Sequence, residues 1–249
     1  ATTLASTGTL AAGVETTGTL GPSGTLRIDV TGTAALAGSQ LASGGDLAVA
    51  AADLELSGAQ VFAGRDASFT ATTQNIDARS ATVDAGRELR LDAARVIRNA
   101  DGLLRGGTLS LDADALDNRR GRIDQTGAGA GRVTVRAAFD NTDGVLRSDG
   151  SLAAHAVALD NTRGILEAAG ALVVQSGPIV NAGGTLYGVG ALDLRAAGDL
   201  VSPGTLASRG TARIEAVGTL DNAGGVVIAE ALDVRVGSLV NDAGVIEQL

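Results

Sequence analysis

The chain repeats itself about every twenty residues, and that period restricts it to folds in which each unit packs only on its neighbours. The order Leu159-Asp160-Asn161, Gly164-Ile165-Leu166 and Gly170-Ala171-Leu172-Val173-Val174 recurs along it. The opening apolar residue falls at Ile97, Leu116, Phe139, Leu159, Ile179, Leu200, Leu220 and Leu239, at spacings of 19, 23, 20, 20, 21, 20 and 19. Upstream, Leu36, Leu56 and Ile76 continue the series at 20, 20 and then 21 to Ile97. The expectation is one unit over 1–249, less regular over 1–96 and built of regular Leu-Asp-Asn/Gly repeats over 97–249.

Inside each repeat the alternation has period two: Leu89 and Leu91 flank Arg90, and Leu232, Val234 and Val236 flank Asp233 and Arg235. Such segments are strands with apolar side chains on one face and charges on the other. Each is short and bounded by Gly, Asn or Asp, so three strands joined by tight bends use up one period. The pattern predicts an all-β fold, a right-handed parallel β-helix of roughly eleven coils, counting an imperfect first turn near Val14. Equivalent residues would stack about 4.8 Å apart, Leu on Leu and Val on Val.

Asn99, Asn118, Asn141, Asn161, Asn181, Asn222 and Asn241 each stand two residues after the opening apolar position, which turns them inward. A buried amide is costly unless bonded, and stacked carboxamides can bond one another, so these residues are read as a structural ladder. Ser202, beside Pro203, interrupts it, and Gly38, Gly58 and Ala78 stand at the same offset upstream. Gly102, Gly121, Gly144, Gly164, Gly184 and Gly225 follow three residues later, where a corner demands positive φ or close backbone approach.

A hydrophobic fraction of 45% fills a continuous core, and with 36 Gly, 3 Pro and 2% aromatics that core is made of Leu, Val, Ile and Ala. Cysteine is absent, so there is no disulfide framework. Position 1 is not Met and no leader pattern follows, which reads as a segment cut from a longer protein. Gly, Thr, Asp or Arg interrupts every apolar stretch before the roughly 18 residues of a membrane helix. Phe62, Phe69, Phe139 and Tyr187 are too few for the aromatic girdles of a membrane barrel, so no membrane insertion is expected. A net charge of -9, with every basic residue an Arg, disfavours nucleic acid as a partner.

The repeats resemble those of the filamentous haemagglutinin family of two-partner-secreted exoproteins, whose shafts carry runs such as Leu-Asp-Asn-x-x-Gly-x-Leu and Gly-x-Leu-x-Val. The resemblance is clearest from Ile97 to Leu249 and looser over the first third. It implies export through an outer-membrane secretion partner, and display on the bacterial cell surface as part of a secreted filament. It also implies the role of a structural shaft in an adhesin or contact-dependent toxin carrier that attaches to host or neighbouring cells. The integrin-type Arg-Gly-Asp tripeptide does not occur here.

Fold alone does not exclude catalysis, since polysaccharide lyases and hydrolases also use parallel β-helices. His155, the one histidine, lacks nearby acidic partners in Ala153-Ala154-His155-Ala156-Val157 and reads as structural or surface. Asp112 with Asp114, or Asp140 with Asp143, has the look of a hydrolase pair. Yet Asp117, Asp140, Asp160 and Asp221 share one repeat position and form a surface row, not a unique site. Calcium is not expected there, because the Gly-Gly-x-Gly-x-Asp signature is missing. Gly127-Ala128-Gly129-Ala130-Gly131-Arg132 is not followed by a P-loop pattern and coincides with the spacing of 23, so it reads as an enlarged corner loop. The sequence therefore points to no enzyme and no cofactor. The alternative to a shaft is a heparin-like glycan-binding module centred on Arg119, Arg120 and Arg122, with host glycans or receptors as partners. Over Arg79 to Arg147 there are 12 Arg against 10 acids, +2 in a chain whose remainder carries -11.

Overall fold

The computed structural model describes residues 2–15 and 17–249, and among them there is no helix. All 31 strands belong to one sheet, and every pairing between them is parallel. The sheet is wound into a three-sided solenoid of about eleven turns, with every side built the same way. A coil such as 158–176 runs Ala158–Asp160 on the first face, Ile165–Ala168 on the second and Ala171–Ser176 on the third. Each strand then pairs with its equivalent one coil on: Leu159 with Ile179, Leu166 with Leu186 and Val174 with Leu194.

Period-two alternation fixes what lies inside. In the strand Ala171–Ser176, Leu172, Val174 and Ser176 are buried while Ala171, Val173 and Gln175 face out. Buried side chains of successive coils form unbroken columns, from Leu41 and Val61 through Leu146, Leu166 and Leu186 to Val227. Volume is balanced within a coil, since Phe69 lies two residues from Ala67 where the next coil has Leu89 and Leu91. One apolar cluster extends from Ala34 to Ala229. At about 25 cal/mol per Å² of apolar area, that burial is gained only between neighbouring coils, which is why the coil cannot stand alone.

One register differs from the sequence reading. Ile76 pairs with Leu54 and Leu54 with Ala34, so the opening apolar column upstream is Ala34 and Leu54, not Leu36 and Leu56. Leu36, Leu56 and Ala78 instead fill the inward corner that Asn occupies later, and all three are fully buried. Gly38 and Gly58 are therefore not substitutes for Asn; with φ of 67° and 66°, they are the left-handed residues of the bend. The imperfect first turn does surround Val14, although Val14 lies in none of its three strands. It runs through Leu4–Ala5, Thr9–Ala12 and Leu26–Asp29, while Val14 makes an antiparallel bridge to Leu20 in an insertion between the last two.

Candidate functional site

The corner between the first and second faces holds the chain's most distinctive polar groups, and its geometry follows from the Leu-Asp-Asn order. Leu159 points inward, Asp160 outward and Asn161 inward again, the last fully buried. The Asp160 carboxylate accepts the Thr162 N–H at 2.9 Å, and the Gly164 N–H donates to the Asn161 carbonyl at 2.9 Å, closing the bend. Asp77, Asp117, Asp140 and Asp221 accept the N–H two residues on in the same way. The row of aspartates is thus a row of turn caps.

Between them stands a residue with positive φ: Ser80, Asp101, Arg120, Asp143, Arg163 and Ala243 at 53° to 59°, Gly183 and Gly224 at 63° and 69°. From Asp101 onward the recurrent glycine is the next residue, and its φ is ordinary. What it needs is space, because a Cβ at Gly164 would lie 2.6 Å from Asn161 Oδ1 and would overlap the Asn141 carbonyl. Close approach, not left-handed backbone, is the reason for glycine at 102, 121, 144, 164, 184 and 225.

The inward amides are brought together along the axis. Asn99 Nδ2 donates to Asn118 Oδ1 at 2.7 Å, Asn118 to Asn141 at 2.6 Å, Asn141 to Asn161 at 2.7 Å and Asn161 to Asn181 at 2.7 Å. Asn181 donates to Ser202 Oγ at 3.1 Å, and Asn222 to Asn241 at 2.7 Å. The second amide hydrogen of Asn161 is shared between the Gly164 and Thr185 carbonyls, at 3.1 and 3.2 Å. Six of the seven carboxamides donate to the following coil, all in the same direction, and Asn241 donates to the Gly244 carbonyl of its own bend. Asn99 Oδ1 and Asn222 Oδ1 are buried without a partner, since Ala78 and Ser202 on the preceding coils send them no hydrogen.

Arg119, Arg120 and Arg122 lie on the outside of this corner with exposed head groups, and each holds a carboxylate. Arg119 pairs with Asp117 at 2.8 Å and reaches Asp140 at 3.7 Å; Arg120 pairs with Asp101 at 2.8 Å and Arg122 with Asp124 at 2.5 Å. The Arg119 guanidinium bonded to Asp117 holds that carboxyl below the usual carboxylate range, against the opposing effect of its partial burial. Arg120 does the same to Asp101, and Arg163 to Asp143.

No acid–base pair is assembled. Arg136 engages both Asp112 and Asp114, and Asp143 is taken by Arg163 while Asp140 caps its turn. His155 lies on the outer side of the third face, in register with Gln175. Among the described residues, no group of three or more His, Asp or Glu is placed to hold a metal ion. The glycine loop is organised from within: Gln125, buried at an inward position, donates to the Gly127 and Gly129 carbonyls at 3.0 and 2.6 Å. Its amide takes the core space that a side chain at Gly131 would fill, and the Gly127 N–H is spent on the Gly107 carbonyl of the preceding coil. Nothing in the sequence singled out Gln125; the one signal was the length of its coil.

The haemagglutinin repeat profile matches residues 23–75, 62–128, 128–188 and 187–247. The chain is also similar to Toxin CdiA of Yersinia pestis, 31% identical over 147 residues, which is 59% of this chain and 4% of that protein. It thus spans a small fraction of that relative's length. No solved structure matches the chain.

Proposed function

The chain belongs to the haemagglutinin-repeat family, and on that footing we propose that it is a length of the structural shaft of a secreted, surface-displayed bacterial adhesin or contact-dependent toxin carrier. The observation that carries this reading is that its recurrent polar residues are consumed internally. The Asn amides bond to the next coil, the Asp carboxylates cap turns and the corner arginines neutralise carboxylates. A machine part of this kind transmits position, and its recurrent acids and corner arginines are held in turn caps and ion pairs instead of converging on a cleft, which supports reading the segment as non-enzymatic. Export through an outer-membrane partner and attachment to other cells belong to the same proposal, supported by the resemblance and by Toxin CdiA as a relative.

The test is to shorten the shaft in the parent protein. Removing the five coils between Leu116 and Leu220 in register should shorten the filament by about 24 Å, at about 4.8 Å per coil, with surface display and delivery retained. Loss of delivery from a protein still exported and displayed would show that these coils do more than span distance.

Anionic-glycan binding by Arg119, Arg120 and Arg122 is the second reading, supported by three exposed guanidinium groups at one bend of a single coil. A sulfate would have to displace Asp117, Asp101 and Asp124 inside a negative overall field, so weak binding that salt abolishes is expected. Tight heparin binding lost in Arg119→Ala with Arg120→Ala, but kept in Arg27→Ala with Arg235→Ala, would promote this reading to first.

A further inference from the structure

Of the four aromatic side chains, Phe69 and Phe139 are buried in the core, Tyr187 is half-buried, and Phe62 stands 45% exposed on the outer wall of the second face. Phe62 is the one aromatic ring among the described residues that is exposed and not buried or half-buried. Phe62 lies in the outward row Ala42, Phe62, Asp84, and the parallel row two residues back is Gln40, Gln60, Thr82. Rungs about 4.8 Å apart place these amides and hydroxyls in a line beside the ring. Among the described residues the Gln60 amide has no protein partner.

The ring has open space on both sides. One groove, about 330 Å³, is floored by the Gln40, Gln60 and Thr82 row and ends at Asp84. The other, about 590 Å³, lies over the corner, where Gly44 and Gly64 leave bare backbone and Leu20 and Pro22 form the far wall. A Cβ at Gly64 would overlap the Gly44 carbonyl, so that trough cannot be filled by a side chain without moving the coil. The charges at its margins are already balanced: Asp84 by Arg105 at 2.5 Å, Arg65 by Asp46 at 3.1 Å.

We infer that Phe62 is the platform of a binding site for a neutral pyranose oligosaccharide. A pyranose has an apolar C–H face and a rim of hydroxyls, which are the two chemistries this wall displays side by side: an aromatic face, and amides that both donate and accept. Because the charges at its margins are paired, the wall offers no net attraction to an anion. A peptide strand has nothing to pair with, because the backbone groups of this wall are spent between coils. The site stands apart from the arginine corner and does not depend on it.

Saturation-transfer NMR on the whole chain with cellopentaose, lacto-N-neotetraose and mannopentaose, each at millimolar concentration, tests the site. Transfer to at least one is expected, weakened about tenfold or more by Phe62→Ala, kept by Phe62→Trp, reduced by Gln60→Ala and unchanged between low and high salt. Phe62 is exposed, so Phe62→Ala should keep the wild-type circular dichroism and melting temperature. No transfer to any of the three, or equal transfer to the Phe62→Ala variant, overturns the assignment. Tyr187→Ala, in the same outward row, should leave transfer intact; if it abolishes transfer while Phe62→Ala does not, the platform is elsewhere and the assignment also falls.

Discussion

Ser202 Oγ accepts a hydrogen bond from Asn181 Nδ2 at 3.1 Å but donates none to Asn222, whose Oδ1 is left buried and unpartnered. The amide ladder is therefore two pieces, Asn99 to Ser202 and Asn222 to Asn241, separated by one missing rung. Both pieces run the same way, so a single donor at position 202 would join them.

Ser202→Asn is expected to supply that donor and to raise stability by about 1 kcal/mol, the net worth of a buried hydrogen bond with relief of an orphaned acceptor. A thermal melt against wild type checks it. An unchanged or lower melting temperature would mean that the shortened turn at Pro203-Gly204 cannot admit the amide.

Asn161→Ala should cost about 1 to 3 kcal/mol, because it strips a donor from Asn181 Oδ1 and an acceptor from Asn141 Nδ2 at once. Thr162→Ala, whose N–H alone is used by the turn, should cost little. Equal urea midpoints for the two variants would contradict a stabilising role for the ladder.

Glycine substitutions should separate space from conformation. Gly164→Ala puts a methyl against Asn161 Oδ1 and the Asn141 carbonyl, and is expected to destabilise by about 2 kcal/mol or more. Gly183→Asn meets no near atom closer than Arg163 Cγ at 3.6 Å from its Cβ, and asks only for the left-handed backbone that Asp143 and Arg163 already adopt. Its cost should stay under about 1 kcal/mol. Chemical denaturation of both, side by side, gives the comparison.

Acid should weaken the corners in a defined window. Asp101, Asp117 and Asp143 have carboxyls held below their ordinary value of 3.8 by bonded arginines, so the folded state binds protons less readily than the unfolded chain. Their contribution is fully present above about pH 5 and is lost as pH falls through and below about 4. Melting temperatures should be flat from pH 5 to 8 as far as these groups are concerned and should drop in acid, less so in Asp143→Asn. A drop that begins well above pH 5 would show that these carboxyls are not its cause.

Whole coils should be removable. Deleting Leu159 to Pro178 brings Ile179 to the register of Leu159, with which it already pairs one turn away. The shortened chain should keep its β-sheet circular dichroism and a cooperative melt, whereas deleting Leu159 to Ala168 should not. Comparable damage from both would argue against independent, stackable turns.

The three-sided coil and the inward Asn were legible because alternation and spacing repeat in every unit, so each turn restates the others. The reading slipped where the pattern lost its marker. Upstream of Asn99 the corner is filled by Leu36 and Leu56, and a leucine at a corner looks like a leucine in a wall, which displaced the register by two. The same ambiguity hid which corner residue is left-handed, since Arg163 and Asp143 carry no sequence sign of positive φ. Phe62 was invisible for the opposite reason: it sits once, on the outward side of an ordinary strand, and a period cannot announce what occurs a single time.

Because each carboxamide from Asn99 to Asn181 donates to the next coil toward the C-terminal side, their C–N dipoles add instead of cancelling. The ladder therefore has an electrical sense along its length as an α-helix does, with an oxygen at its Asn99 end and hydrogens directed toward the later coils. The two ends of the ladder are thus chemically distinct: an acceptor buried under Ala78 at Asn99, and a donor handed on to Ser202 at Asn181.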